Sequence, residues 1–214
     1  MNNVFLIGAK SIGMYGGYES FVNKLLEYSQ QYKDTQYYVM CKANGEGHMN
    51  IEILDNVIKV NDEEFLYYNA KCFLIRVNDK LGHLQAITYD ISALNKTIKY
   101  IKENNINKPI VYIMACRIGP FIGYFVNKIH KLGGQVFLNS DGHEWLRTKW
   151  SPIVRKYWKL SEKLMVEKSD LIVCDSKNIE KYIREKYKRY SPKTIFIPYG
   201  SETKPSTISD NTFV

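Results

Sequence analysis

Short apolar runs alternate with helical patterns along most of this 214-residue chain. Each run is almost continuously apolar, which is typical of a strand buried on both faces of a parallel sheet. The stretches between them place apolar residues three and four positions apart, as an amphipathic helix does. Strands are predicted at residues 4–7, 36–41, 71–77, 110–114, 135–139, 171–174 and 194–197, with one or two short strands more in 51–60. This alternation predicts an α/β fold, a Rossmann-like parallel sheet with helices on both faces.

The pattern ends near residue 200, and the remaining residues are polar and patternless. We therefore predict one domain of about 200 residues with a tail. No apolar stretch approaches the roughly 18 residues of a membrane-spanning helix, and the N-terminus lacks the features of a signal peptide. The sequence favours a cytoplasmic protein.

The chain has four cysteines, at positions 41, 72, 116 and 174, and none belongs to a C-x-x-C pair. Each lies in or beside a predicted strand, which favours reduced and buried thiols. Their spacing predicts no zinc site, and we expect no metal.

A glycine-rich turn follows the first predicted strand. Four glycines fall within ten residues, Gly8 to Gly17, before a helical pattern begins. Glycine lets another molecule approach the main chain, and the N–H groups of a helix's first turn favour a phosphate or sugar hydroxyls. Gly13, Gly16, Gly17 and Glu19 are therefore candidate substrate-binding residues. The alternative is a turn that serves only the fold, since many doubly wound proteins have a glycine turn there.

Two well-known nucleotide motifs are absent from this turn. The spacing is not G-x-G-x-x-G, and Gly13 is followed by Met14 and Tyr15 where a P-loop requires lysine and serine or threonine. The second strand ends in Cys41 and Lys42, so no acid is available there for a ribose hydroxyl. These departures argue against an NAD site.

A second polar turn follows the strand at 135–139. Asp141, His143, Glu144 and Arg147 place acids, a base and a cation within seven residues. Carboxylates can accept hydrogen bonds from sugar hydroxyls, and histidine titrates near neutrality. We take Asp141, His143 and Glu144 as candidate catalytic residues, with Arg147 binding a phosphate or holding Glu144. The alternative is a polar loop whose side chains cap neighbouring elements.

The chain carries a net charge of +8, which favours anionic partners. A nucleotide sugar, an anionic membrane surface and nucleic acid are the options. The helix predicted from about residue 152 combines aromatic and basic residues and could lie on a membrane, or it could simply expose its lysines to water. Nucleic acid is the weakest option, because no helix-turn-helix, RNP or zinc pattern accompanies the charge.

Both turns resemble those of one enzyme family. Residues 5–8, 15–22, 141–151, 175–176 and 197–200 are similar to the N-terminal half of retaining glycosyltransferases of family 4. These enzymes have the GT-B architecture, and the similarity is greatest to the bacterial rhamnosyltransferase branch. The string D-G-x-E-W-x-R-x-K-W in 141–150 is the most specific part. The resemblance implies transfer of a sugar, rhamnose from dTDP-rhamnose, to a lipid-linked saccharide in capsule or cell-wall polysaccharide synthesis. It implies no cofactor beyond the nucleotide-sugar donor.

The resemblance also implies roles for single residues. Gly16 and Gly17 would contact phosphate or acceptor, while Asp141, Glu144 and Arg147 would line the acceptor side. Such enzymes have a second, donor-binding domain. Residues 1–200 would then be the acceptor domain, and 201–214 a linker or the start of the donor domain.

On that basis we expect these 214 residues to be inactive alone, unless a separate chain supplies the other half. The rival interpretation is a non-catalytic module that binds a phosphorylated or lipid-linked saccharide as a scaffold or regulatory partner.

Overall fold

The computed structural model describes residues 1–140 and 142–200, apart from the side chains at positions 79 and 83. The helices and strands of this part are β1 (Asn2–Ile7), α1 (Gly17–Tyr28), β2 (Thr35–Lys42), β3 (Val57–Lys59), β4 (Glu64–Tyr67), β5 (Ala70–Ile75), α2 (Gln85–Glu103), β6 (Ile110–Met114), α3 (Gly119–Lys131), β7 (Gln135–Asn139), α4 (Pro152–Lys168), β8 (Leu171–Cys174), α5 (Lys177–Lys186) and β9 (Thr194–Phe196). Short 3₁₀ turns connect some of them, including one at Glu144–Leu146.

The strands form one sheet in the order β3-β4-β5-β2-β1-β6-β7-β8-β9. From β5 to β9 every neighbouring pair is parallel, and the predicted α/β fold is confirmed. The edge differs from the prediction, because β3 and β4 pair antiparallel and β4 was not predicted. Only three residues of 51–60 form a strand, and a 3₁₀ turn at Ile51–Ile53 precedes it.

Helices cover both faces of the sheet, but unequally. Helices α2 to α5 pack on one face against residues such as Phe5, Ile113 and Leu138. Helix α1 packs on the other face, where Val22 and Leu26 meet the second hydrophobic cluster. This division follows from right-handed crossovers, because the chain moves along the sheet in one direction from β5 to β9 and in the other from β1 to β2.

The four cysteines are buried thiols, as expected from their place in or beside the strands. Among the described helices, none is both long enough and apolar enough to cross a bilayer.

Candidate functional site

A cleft of about 760 Å³ lies at the carboxyl ends of the parallel strands. Its walls come from the segments that follow β1, β2, β6 and β7, and from α2 and α4. In open α/β sheets ligands bind at this edge, where the strand order reverses. Both turns singled out from the sequence reach this cleft, through Glu19 in the first and Glu144 in the second.

The first turn is held in shape by hydrogen bonds to its main chain. Glu19 Oε1 accepts a hydrogen bond from the backbone N–H of Lys10 at 3.1 Å, and both residues line the cleft. Gly8 has a φ of 112°, and a Cβ there would overlap the carbonyl oxygen of Met114. Only glycine therefore fits at the end of β1, where the chain passes close to β6.

The other predicted glycines lie around the cleft rather than in its walls. Gly13 and Gly17 are exposed, Gly16 is partly buried, and none of the three is among the lining residues. A Cβ at Gly17 would meet no atom within 4 Å. Their predicted contact with a substrate stays a prediction.

A buried ion pair contributes one of its members, Arg117, to the floor of the cleft. Asp90 on α2 is 0% exposed, and its Oδ1 lies 3.1 Å from Nη1 of Arg117. Arg117 Nη2 also donates to the carbonyl oxygen of Gly8 at 2.9 Å, so this side chain ties the first turn to the segment after β6. Burial raises the pKa of Asp90 to about 6, although Arg117 and Lys10 oppose the shift.

A buried lysine also lines the cleft. Lys42, at the end of β2, is 2% exposed and lines the cleft. Its Nζ donates to the carbonyl oxygen of Glu46 at 2.9 Å and to Gln85 Oε1 at 2.8 Å. Sequence reasoning did not single out Lys42, Asp90 or Arg117 as site residues. The signal that was available for Asp90 is its position on the apolar stripe of α2, where an acid needs a partner.

In the second turn, Glu144 is the centre of a set of contacts. Its Oε2 forms an ion pair with Arg147, 2.7 Å from Nε, and its Oε1 accepts a hydrogen bond from Trp150 Nε1 at 2.9 Å. Lys149 Nζ lies 3.8 Å from Oε1. Glu144, Arg147, Lys149 and Trp150 all line the cleft. Holding Glu144 was one of the two roles considered for Arg147.

The other two predicted catalytic residues are placed differently. His143 has a left-handed backbone, with a φ of 30°, and its ring centroid lies 4.0 Å from that of Tyr182 on α5. It is not among the residues that line the cleft. Asp141 lies outside the described residues. A catalytic role for either stays a prediction.

A buried cluster around Glu162 packs against the second turn. Glu162 on α4 is 3% exposed and accepts hydrogen bonds from Tyr187 and, at 2.6 Å, from Tyr182. Lys186 Nζ lies 3.2 Å from the same carboxylate and 4.6 Å from the ring centroid of Trp145. Burial, and then the bond to Glu162, raise the pKa of both tyrosines well above the usual range. The cluster fixes the Trp145 end of the turn.

All three tryptophans of the chain, Trp145, Trp150 and Trp158, line this cleft. Around it, within residues 1–140 and 142–200, no group of three or more histidine, cysteine, aspartate or glutamate side chains is placed to hold a metal ion. The walls therefore offer aromatic rings, carboxylates and cations, which are groups suited to sugars and phosphates.

Solved structures with the same fold include enzymes that act on sugars. The sucrose-phosphate synthase of Thermosynechococcus elongatus matches with a TM-score of 0.62 and 13% identity, over 94% of this chain and 49% of the synthase. A UGT transferase from Siraitia grosvenorii, solved in complex with UDP, matches with a TM-score of 0.51 and 9% identity, over 91% of this chain and 50% of the transferase. No curated protein matches the chain significantly.

The fold is thus similar to that of GT-B glycosyltransferases, and identities this low show the fold alone. The chain spans about half the length of these two proteins. Over residues 1–202 it matches the family described as a domain of unknown function, DUF1972. A match of that extent shows that the chain belongs to the DUF1972 family.

Proposed function

We propose that this chain is the acceptor-side domain of a glycosyltransferase. The observation that carries the proposal is the meeting of the two turns on one cleft, with Lys10 and Glu19 on one side and Glu144 and Arg147 on the other. The similarity in fold to glycosyltransferases supports it. An acceptor held between the two turns would present its hydroxyl at the edge of the sheet, where a donor can be brought up to it.

The donor that we propose is dTDP-rhamnose, and the acceptor is a lipid-linked saccharide of capsule or cell-wall polysaccharide. Both rest on the resemblance of residues 141–150 to rhamnosyltransferases of family 4, as does retention of configuration at the transferred sugar. No other cofactor is proposed. A second domain, in the same polypeptide or a partner chain, would hold most of the nucleotide sugar, so the 214 residues alone would not turn over.

Roles for single residues follow from the cleft. Lys42 and Arg117 would supply positive charge at the floor, where a donor diphosphate or an acceptor phosphate approaches. Gly17 would leave the main chain of the first turn open to that phosphate, whereas at Gly16 the Glu19 carboxylate fills the space where a Cβ would stand. Asp141 is a proposed catalytic residue on the strength of the sequence motif alone, and His143 would shape the turn through its contact with Tyr182.

The proposal is tested by measuring sugar transfer after a side chain has been placed where a substrate would approach the main chain of the first turn. In a longer polypeptide that includes the donor domain and transfers sugar, Gly17→Val should abolish turnover, and Asp141→Asn should reduce it strongly. Gly123→Ala on α3 is the control, because a Cβ there meets no atom within 4 Å. Full turnover by the valine variant would contradict the proposal. Binding of a saccharide or protein partner without any transfer would instead favour the non-catalytic scaffold.

We also propose that the domain lies against an anionic membrane, on the inner face where a lipid-linked acceptor is used. Helix α4 exposes Ile153, Lys156, Leu160 and Lys163, which recur along one side of the helix. Ile153 is 81% exposed, and apolar residues flanked by lysines suit an anionic bilayer surface.

Flotation with vesicles tests this placement. Vesicles of phosphatidylcholine with added phosphatidylglycerol should bind the protein, and phosphatidylcholine alone should not. Replacing Lys156 and Lys163 by glutamate should abolish binding, whereas the same change at Lys99 and Lys102 on α2, which are also exposed, should not. Equal binding to both kinds of vesicle would reject the charge-dependent contact.

A further inference from the structure

We infer that Glu144 is a positioning residue that holds the Trp150 ring as a stacking surface for a pyranose ring of the acceptor, with Trp158 beside it. The inference rests on the proposed function, because it names the chemistry that the cleft recognises. It also separates Glu144 from the catalytic role that its place in the motif suggested.

The contacts of Glu144 carry the first step. Both of its oxygens are engaged by neighbours in the same turn, Oε1 by Trp150 Nε1 at 2.9 Å and Oε2 by Arg147 Nε at 2.7 Å. The hydrogen bond from the indole is directional and the ion pair with the guanidinium is short, so together they hold the carboxylate and the Trp150 ring in place. A carboxylate placed to attack or to move a proton would instead direct an oxygen at the substrate.

The surroundings of Trp150 leave its ring available for stacking. Its ring centroid lies 6.0 Å from that of Trp158 at an interplanar angle of 44°, so the two indoles form one aromatic wall of the cleft. Lys149 Nζ lies 4.6 Å above the Trp150 ring, and more than half of the Lys149 side chain is exposed. An exposed cation–π contact is weak, so a sugar can replace the ammonium over that ring.

Two unpartnered polar groups carry the third step and point to a ligand. Ser140 Oγ and Trp158 Nε1 are buried and make no hydrogen bond within the described part of the chain. Ser140 is 4% exposed, and both residues line the cleft. Buried polar groups are normally paired, and a hydroxyl-rich ligand would supply the missing partners.

A pyranose combines the two properties that this wall requires. One face of the ring presents C–H groups that pack on an indole, and its hydroxyls donate and accept hydrogen bonds at the rim. A free phosphate has no apolar face and would go to Lys42 and Arg117 at the floor. A nucleobase also stacks on indole, so it is included as a competing ligand in the test.

Ligand-observed NMR on the 214-residue chain tests the inference. The probes are methyl α-L-rhamnopyranoside, methyl α-D-glucopyranoside, dTDP and the open-chain polyol sorbitol. Wild-type protein should bind the pyranosides and not sorbitol. Trp150→Ala and Glu144→Ala should each weaken pyranoside binding about tenfold, because the ring is lost or no longer held. Glu144→Gln should stay within about twofold, since the amide oxygen still accepts from Trp150 Nε1.

The controls separate a positioning role from loss of fold and from catalysis. Tyr28→Ala removes an exposed ring away from the cleft and should bind like wild type, and thermal unfolding reports the stability of every variant. In a longer polypeptide that includes the donor domain and transfers sugar, Glu144→Ala should raise KM more than it lowers kcat, and Glu144→Gln should restore most of the wild-type KM. A loss of kcat as large in Glu144→Gln as in Glu144→Ala would overturn the inference in favour of catalysis.

Three other outcomes would count against the inference or against the proposed function. Unchanged pyranoside binding in a folded Trp150→Ala variant would overturn the inference while leaving the proposed function intact. If Trp150→Ala weakened dTDP binding but not pyranoside binding, the wall would hold the base, and the inference would be wrong. If folded wild type bound no pyranoside at all, the proposed saccharide cleft would itself be refuted.

Discussion

The two turns that meet at the cleft are built in opposite ways. The turn after β1 is shaped by its main chain, through glycines and the Glu19 carboxylate on the backbone of Lys10. The turn after β7 is shaped by side chains, with Glu144 at its centre and the Glu162 cluster behind it. A glycine in the first turn can be required by packing or by a ligand. Packing requires it only where a Cβ would overlap a neighbouring atom.

Gly8 and Gly17 are the two extremes of that distinction. Gly8 is required by the fold, because a side chain there would overlap Met114 and its φ is positive. Gly17 begins α1 with open space where a Cβ would be, so packing does not require glycine there. Sequence motifs treat both glycines alike. Packing therefore explains Gly8 and does not explain Gly17, whose contact with a substrate stays a prediction.

Gly8→Ala should have the largest effect on stability. The new Cβ would overlap a backbone oxygen at the centre of the sheet, and the positive φ adds strain, so we expect a loss of about 4 kcal/mol or more. Urea denaturation followed by circular dichroism measures it. Gly123→Ala is the control and should be neutral or slightly stabilising, as alanine is in a helix. A Gly8→Ala protein as stable as wild type would contradict the conclusion that the fold requires glycine at this position.

The buried ion pair of Asp90 and Arg117 should make the unfolding free energy depend on pH. The pKa of Asp90 rises from 3.8 to about 6 on folding, so the folded state binds a proton more tightly than the unfolded state. This contribution is complete below about pH 4 and is lost as the pH rises through about 6. Its size is on the order of 3 kcal/mol, because the pKa shift is roughly two units and each pKa unit corresponds to about 1.4 kcal/mol.

Asp90→Asn isolates this effect, because the amide keeps an oxygen for Arg117 and cannot titrate. The unfolding free energy of wild type minus that of Asp90→Asn should fall between pH 4 and pH 6 and be flat on either side. Denaturation at a series of pH values gives the difference. A difference that rises with pH would mean that Arg117 outweighs burial and lowers the pKa of Asp90.

The strands differ in how clearly the sequence predicts them. Strands β1, β2 and β5 to β9 were identified because burial on both faces leaves continuous apolar runs. Strand β4 was missed, since it is short, pairs antiparallel near the edge and alternates buried Phe65 and Tyr67 with more exposed residues after a polar stretch. Its pattern becomes distinctive only once the neighbouring strand is known.

The site was predictable only within each turn. Glu19, Glu144 and Arg147 belong to the two sequence motifs and do line the cleft. Asp90 and Arg117 come from different elements, 27 positions apart, and their pairing depends on how α2 packs on the sheet. Likewise His143 lies in the motif, but its ring packs on Tyr182, because the direction of a side chain depends on tertiary contacts.

Gly17→Ala should have the smallest effect on stability and is the sharpest test of the comparison. Alanine at the first helical position meets no neighbour, so unfolding free energy should stay within about 0.5 kcal/mol of wild type. If a phosphate approaches the N–H groups of this turn, a methyl group there should weaken dTDP binding about tenfold, as measured by phosphorus NMR. Gly123→Ala should leave both quantities near wild type. Unchanged dTDP binding in Gly17→Ala would mean that this glycine, like Gly8, says nothing about a ligand, and that recognition depends on the side chains of the second turn.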